Sequence, residues 1–167
     1  MTKNIVKFEG AFTADTRKII NDNFEDFSSV STQIDVTSSV ALVNATGLVT
    51  ESLPVGTYYI YANLITTANA AGGIKVALKQ GTASMLSSVN LVGRALTASA
   101  VAVANITSTT DATTIIGSTA AVINTIIEGI FTVSTAGTIQ VQFAQNVSNA
   151  AATSILVGSH LSVAKIG

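Results

Sequence analysis

The stretch GTYYIYANLIT, residues 56–66, decides the fold, because it carries two different faces on one extended backbone. Side chains on a pleated strand alternate with period two, so Tyr58, Ile60, Ala62 and Leu64 point one way and Thr57, Tyr59, Tyr61 and Asn63 the other. The first set is a core face. The second carries two tyrosines, each an apolar ring with a polar tip, a composition suited to a protein interface rather than to open water. The strand, which follows the only proline of the chain, is therefore expected to bury both faces.

Working downstream, the ANAAGG turn at 68–73 leads into a run in which Ile74, Val76 and Leu78 face inward while Lys75 and Lys79 face out. Weaker strands are expected over 85–92 and 100–107, and a loop over 108–119. In VINTIIEGIFTV (122–133), Ile123, Ile127, Phe131 and Val133 share one face, and Asn124, Ile126, Glu128 and Ile130 share the other. Gly137 turns the chain into TIQVQFAQ (138–145), where Ile139, Val141 and Phe143 oppose Gln140 and Gln142, the pattern of a half-buried antiparallel strand. The last run, SILVGSHLSVAKI (154–166), sets Val157, Leu161 and Val163 inward and His160 outward. Upstream of the proline, short strands are expected at 34–36, 40–43 and 48–53. About eight to ten strands with no regular helix between them predict an all-β antiparallel sandwich or jelly roll.

The beginning of the chain is different. Residues 1–27 hold more than half of all the charged residues, and a boundary near Ser28 divides an N-terminal arm, 1–28, from a β-domain, 29–167, with SSVSTQ as the linker. In the arm, Thr13 or Asp15 can cap a helix, and Ile20, Phe24 and Phe27 recur at i, i+4 and i+7 with Ile19 beside them. A helix of roughly a dozen residues is marginal alone in water. Its apolar stripe must dock on its own domain, on a neighbouring subunit or on a larger assembly.

Composition narrows the function classes. Only 10% of the 167 residues are charged and the net charge is −1, which argues against a nucleic-acid groove or an anionic-membrane patch, since both need clustered Lys and Arg. The absence of cysteine excludes disulfides, thiolate nucleophiles and zinc-thiolate sites. Residues 129–164 carry no charged side chain, yet Gln140, Gln142, Gln145, Asn146 and Asn149 interrupt them, so they do not read as a spanning helix, which needs about 20 predominantly apolar residues. No continuous apolar region of signal-peptide length opens the chain, so ordinary secretory export is not expected. With 48% apolar residues and no membrane to hide them, the surface is expected to be covered by self-assembly.

Chemistry is sparse. His160 is the single histidine and has no partner inferable from the sequence, so a structural or interface role is expected rather than general-base catalysis. Asp35, Glu51, Asp111 and Glu128 are scattered rather than spaced as a calcium loop. Gly72-Gly73 reads as a turn, not a phosphate loop. No metal, cofactor or catalytic residue is expected. Asn44, Asn105 and Asn146 sit in N-x-S/T triplets, which a Ser- and Thr-rich chain produces by chance.

The order PVGTYYIYANLI (54–65), GIKVALKQG (73–81), EGIFTVSTAGTIQVQF (128–143) and ILVGSHLSVAKI (155–166) resembles the jelly-roll domains of the tumour-necrosis-factor and complement globular-head family, which form tight homotrimers. The resemblance implies a trimer axis near Tyr61, with Tyr59 beside it, and near Ile126 and His160. Parity sets Tyr61, Ile126 and His160 on the faces opposite the predicted core. The disulfide, the calcium-binding acids and the collagen stalk of some animal relatives are missing. The segment AGTIQVQFAQNVSNAAATSILVGSHLSV (136–163) is also similar to structural proteins of tailed bacteriophages, and TADTRKIINDNF (13–24) resembles attachment segments of phage fibre and head-decorating proteins.

These resemblances imply a virion protein made in the host bacterial cytoplasm, a trimeric capsid-decoration or head-fibre protein without enzymatic activity. Its arm would bind the major capsid protein or another virion protein through Phe12, Ile19, Ile20, Phe24 and Phe27. Neither nucleic acid nor membrane is an expected partner. The alternative is a receptor- or glycan-binding module of a tail fibre, which would have to use the loops 66–73 and 108–119, neither of which contains an aromatic residue.

Overall fold

The computed structural model describes residues 26–69, 71–96, 101–107, 113–115 and 119–167. The strands are β1 (Asp26–Ser29), β2 (Ile34–Val36), β3 (Val43–Val49), β4 (Gly56–Ala68), β5 (Ile74–Gln80), β6 (Leu86–Leu96), β7 (Val101–Ile106), β8 (Thr113–Ile115), β9 (Thr119–Val133), β10 (Ile139–Ala144), β11 (Thr153–Ile155) and β12 (His160–Lys165). They form two antiparallel sheets packed as a sandwich. One is eight-stranded, in the order β1-β12-β4-β9-β6-β7, with β11 joining β4 and β2 joining β11; the other is four-stranded, β3-β10-β5-β8. From β3 onward the chain passes repeatedly between the sheets, so most contacts join residues far apart in sequence.

Between the sheets lies one core, and the period-two reading fixes which residues enter it. From β4 come Tyr58, Ile60, Ala62 and Leu64, from β9 Ile123, Ile127, Phe131 and Val133, from β10 Ile139, Val141 and Phe143, and from β5 Ile74, Val76 and Leu78, all buried. The Tyr58 and Phe131 rings stack with centroids 5.5 Å apart, and the Tyr58 hydroxyl donates to the Pro54 carbonyl oxygen at 2.8 Å. The polar tip is thereby satisfied while the ring is buried. Gly129, in mid-β9, has φ +143°, and a Cβ there would meet the Asn90 carbonyl oxygen and lie 2.8 Å from the Leu91 Cα. Only glycine lets β6 and β9 approach this closely.

Several expectations are corrected. The runs 40–43 and 48–53 are not two strands; a single strand, β3, spans 43–49, and the sheet register slips between Gln140 and Gln142. Gly47, at φ +92°, shifts the parity, so Ala45 and Leu48 are both buried although three positions apart. Such a bulge splits one strand into two apparent patterns. Val157 is 57% exposed rather than inward, because it lies in the turn at Gly158 (φ +92°), where strand parity does not hold. The inward place before Leu161 belongs to Ser159, which donates to the Leu156 carbonyl oxygen and accepts from the Ile65 N–H. Within the expected loop 108–119, residues 113–115 form β8 on β5. The strand expected at 85–92 runs on to Leu96 through Gly93, which sits across from Ile127.

Phe27, expected as the last residue of a helical stripe, is in β1 and pairs with Ser162 of β12. Ser28 and Ser29, read as the start of a linker, are in the same strand, because pairing with an open strand edge satisfies backbone groups that a linker leaves to water. The rest of the predicted helix, with Ile19, Ile20 and Phe24, lies outside the described residues, as do the anchor candidate Phe12 and Asp111.

Candidate assembly surface

The register of the eight-stranded sheet sets the outward side chains in rows. Residues directly opposite on antiparallel strands share a face. One row reads Phe27, Ser162, Tyr61, Glu128, Val92 and Asn105 from β1 to β7. The next reads Ser29, His160, Asn63, Ile126, Arg94 and Val103. On the other side of the first row lie Ala164, Tyr59, Ile130 and Asn90. Tyr59, Tyr61, Ile126 and His160, the residues expected at a trimer axis, therefore occupy adjacent positions on three neighbouring strands.

Three aromatic rings converge here. His160 stacks on Phe27 at 5.6 Å between centroids and meets Tyr61 at 6.0 Å. Its Nδ1 is 3.3 Å from the Gly158 carbonyl oxygen, which can only accept, so a hydrogen bond there requires the proton on Nδ1. With Tyr59, Ser162 and Ala164 these rings line a shallow groove of about 330 Å³. Phe27 is 53% exposed, Ile130 45% and Tyr59 39%, so the face holds large apolar side chains in water. A contiguous apolar patch rimmed by polar residues marks an interaction site more often than a free surface.

The polar groups of the face behave differently from one another. Arg94 and Glu128 form an ion pair between β6 and β9. Asn63, between His160 and Ile126, has a side-chain oxygen that is buried and meets no hydrogen-bond donor among the described residues. An unpaired buried oxygen costs about 1–3 kcal/mol. The pairing of Phe27 with this surface was not legible in the sequence, since β1 is too short to show alternation; Ile130 was already on the Ile126 face by parity. Arg94 gave no signal.

The rival recognition loops are smaller than expected, since 66–68 belong to β4 and 113–115 to β8. Among the described residues no group of three or more His, Asp or Glu side chains is placed to hold a metal ion. No helix among the described residues is long and apolar enough to cross a membrane. No protein-family model matches the chain, and no curated protein is significantly similar to it.

Proposed function

We propose that the chain is a structural virion protein of a tailed bacteriophage, a homotrimeric capsid-decoration or head-fibre protein that attaches to the particle through its N-terminal arm. The jelly-roll part of this reading is supported by strand order. The chain crosses from sheet to sheet at each step from β3 through β4 to β5 and again from β8 through β9 to β10, a path that fits a two-sheet jelly roll.

The observation that carries the assembly reading is the outer face of the eight-stranded sheet. Covering Phe27, Tyr59, Tyr61, Ile126 and Ile130 with neighbouring copies removes apolar area from water at about 25 cal/mol per Å². The virion setting and the anchoring role of the arm rest on resemblance to phage proteins. In this reading the β-domain supplies a rigid trimeric body and the arm supplies attachment, so three arms on one body bind with the avidity of tethered sites. No catalysis, cofactor or nucleic acid takes part.

Light scattering coupled to size exclusion tests the first half: a trimer is expected for the full chain, and a monomer at every concentration overturns it. Immunogold labelling of purified particles with antibody to the chain tests the second, and particles without label would sink the virion assignment. A receptor- or glycan-binding tail-fibre module is the second reading, favoured by the groove beside Tyr59 and Tyr61, because sugar rings stack on aromatic faces. A glycan-array signal that Tyr61→Ala abolishes, with the protein's mass unchanged, selects it over the first.

A further inference from the structure

The aromatic groove lies beside the point where the arm joins the β-domain. Phe27, one residue inside β1, forms one wall of the groove, and Tyr59, two strands away on β4, forms the other. Two strand spacings make that width about 10 Å. Phe24 is three residues before Phe27, a reach of at most about 10 Å, and Ile20, seven residues before it, has enough chain to reach as far. Among the described residues no carboxylate, lysine or arginine lines the groove, so it suits apolar side chains. Ile19, Ile20 and Phe24 are the nearest large apolar residues in the preceding sequence, and Asp22 and Glu25 between and after them can remain in water.

We propose that in the unassembled chain the arm's Ile20 and Phe24 fill this groove, so that the arm and a neighbouring copy compete for one surface. This rests on the self-assembly reading above and adds its regulation. A segment tethered a few residues away acts at an effective concentration in the millimolar range, so in dilute solution it occupies the groove ahead of a second copy. When copies gather, their larger contact displaces the arm. Release then coincides with assembly, and the apolar stripe becomes available for attachment only on the assembled body.

The three tyrosines of the chain report on this directly, since all are on β4 and Tyr58 is buried in the core while Tyr59 and Tyr61 line the groove. Full-length wild type and the double variant Ile20→Glu, Phe24→Glu are nitrated with tetranitromethane over a concentration series, and each tyrosine is read by mass spectrometry alongside light scattering. In dilute solution Tyr59 and Tyr61 should react about fivefold faster in the variant, the ratio given by a groove filled four-fifths of the time. Tyr58 should stay unreactive in both, and the variant should associate at lower concentration. Equal rates at Tyr59 and Tyr61 in the two proteins overturn the proposal. A wild type that never associates overturns the self-assembly reading instead, while the nitration ratio still decides whether the arm covers the groove. Should Tyr58 become reactive in the double variant, Phe24→Ser alone is read in the same way.

Discussion

The outer faces of the two sheets differ although both are built on half-buried antiparallel strands. On the four-stranded sheet the outward residues include Lys75, Lys79, Asn44, Gln140 and Gln142. Gln142 Nε2 donates to Asn44 Oδ1 at 2.8 Å, and Gln140 Nε2 donates to the Ala45 and Leu48 carbonyl oxygens at 2.9 Å, steadying the bulge in β3. On the eight-stranded sheet the corresponding places hold Phe27, Tyr59, Tyr61, Ile126, Ile130 and His160. On the first face the Gln140, Gln142 and Asn44 amides find partners within the chain and the lysines stand at the surface. The other leaves rings in water and an Asn63 oxygen without a partner among the described residues. Exposure alone therefore does not define a finished surface; what matters is whether the exposed groups have their partners.

The interior should not share this asymmetry. Phe131 lies under the eight-stranded sheet and Phe143 under the four-stranded one, both fully buried. Replacing either by Ala should cost about 3–5 kcal/mol in urea unfolding. A loss confined to one of them would mean that the two sheets do not share one cooperative core.

Gln145 extends the finished side to the end of β10. It is fully buried, its Oε1 accepts from the Ser39 and Asn149 N–H groups, and its Nε2 donates to the Asn149 and Ala151 carbonyl oxygens at 2.9 and 2.7 Å. Gln145→Leu should cost about 2 kcal/mol or more, because it strips partners from several backbone groups at once. Thermal melts unchanged by this substitution would show that the loops at 37–41 and 146–151 rehydrate freely.

Across the two outer faces the effects should separate stability from association. Tyr61→Ser should weaken self-association about tenfold, or 1.4 kcal/mol, with little change in unfolding. Gln142→Ser should leave association as it was. If both substitutions shift the association midpoint equally, the contrast between the faces has no functional meaning.

The smallest effect concerns Asp35, on β2. The Ser154 side-chain hydrogen bond first, then that of Gln33, hold its carboxyl below the ordinary 3.8. A carboxyl lowered on folding contributes stability that is complete above its unfolded value and is lost as pH falls through the folded one. At an exposed site this contribution is small. Asp35→Asn should lower Tm by no more than about 2 °C at neutral pH, and the gap should close in strong acid. A gap that widens in acid would reverse the sign of the linkage.

Much of the arrangement was legible because alternation is local. Tyr58 through Leu64, Ile123 through Val133 and Ile139 through Phe143 were assigned to the core from period two alone, and the same parity set Tyr61, Ile126 and His160 outward. Alternation fails where a residue leaves that period, as at Gly47, whose positive φ bulges β3, and at Val157 beside Gly158. Three-residue β8 is too short to alternate, and β6 runs on through Gly93 to Leu96, beyond the expected 85–92.

Which side chains share a face of each long strand follows from the local order of residues, because pleated geometry sets it within a few positions. Which strands lie together is settled in the folded chain: β12 and β9 flank β4, β1 brings Phe27 onto His160, and Gln145 joins two distant loops. These pairings join residues many positions apart. Which of the possible edges a strand satisfies depends on the whole set of competing hydrogen-bond and packing partners, and no local pattern carries that choice.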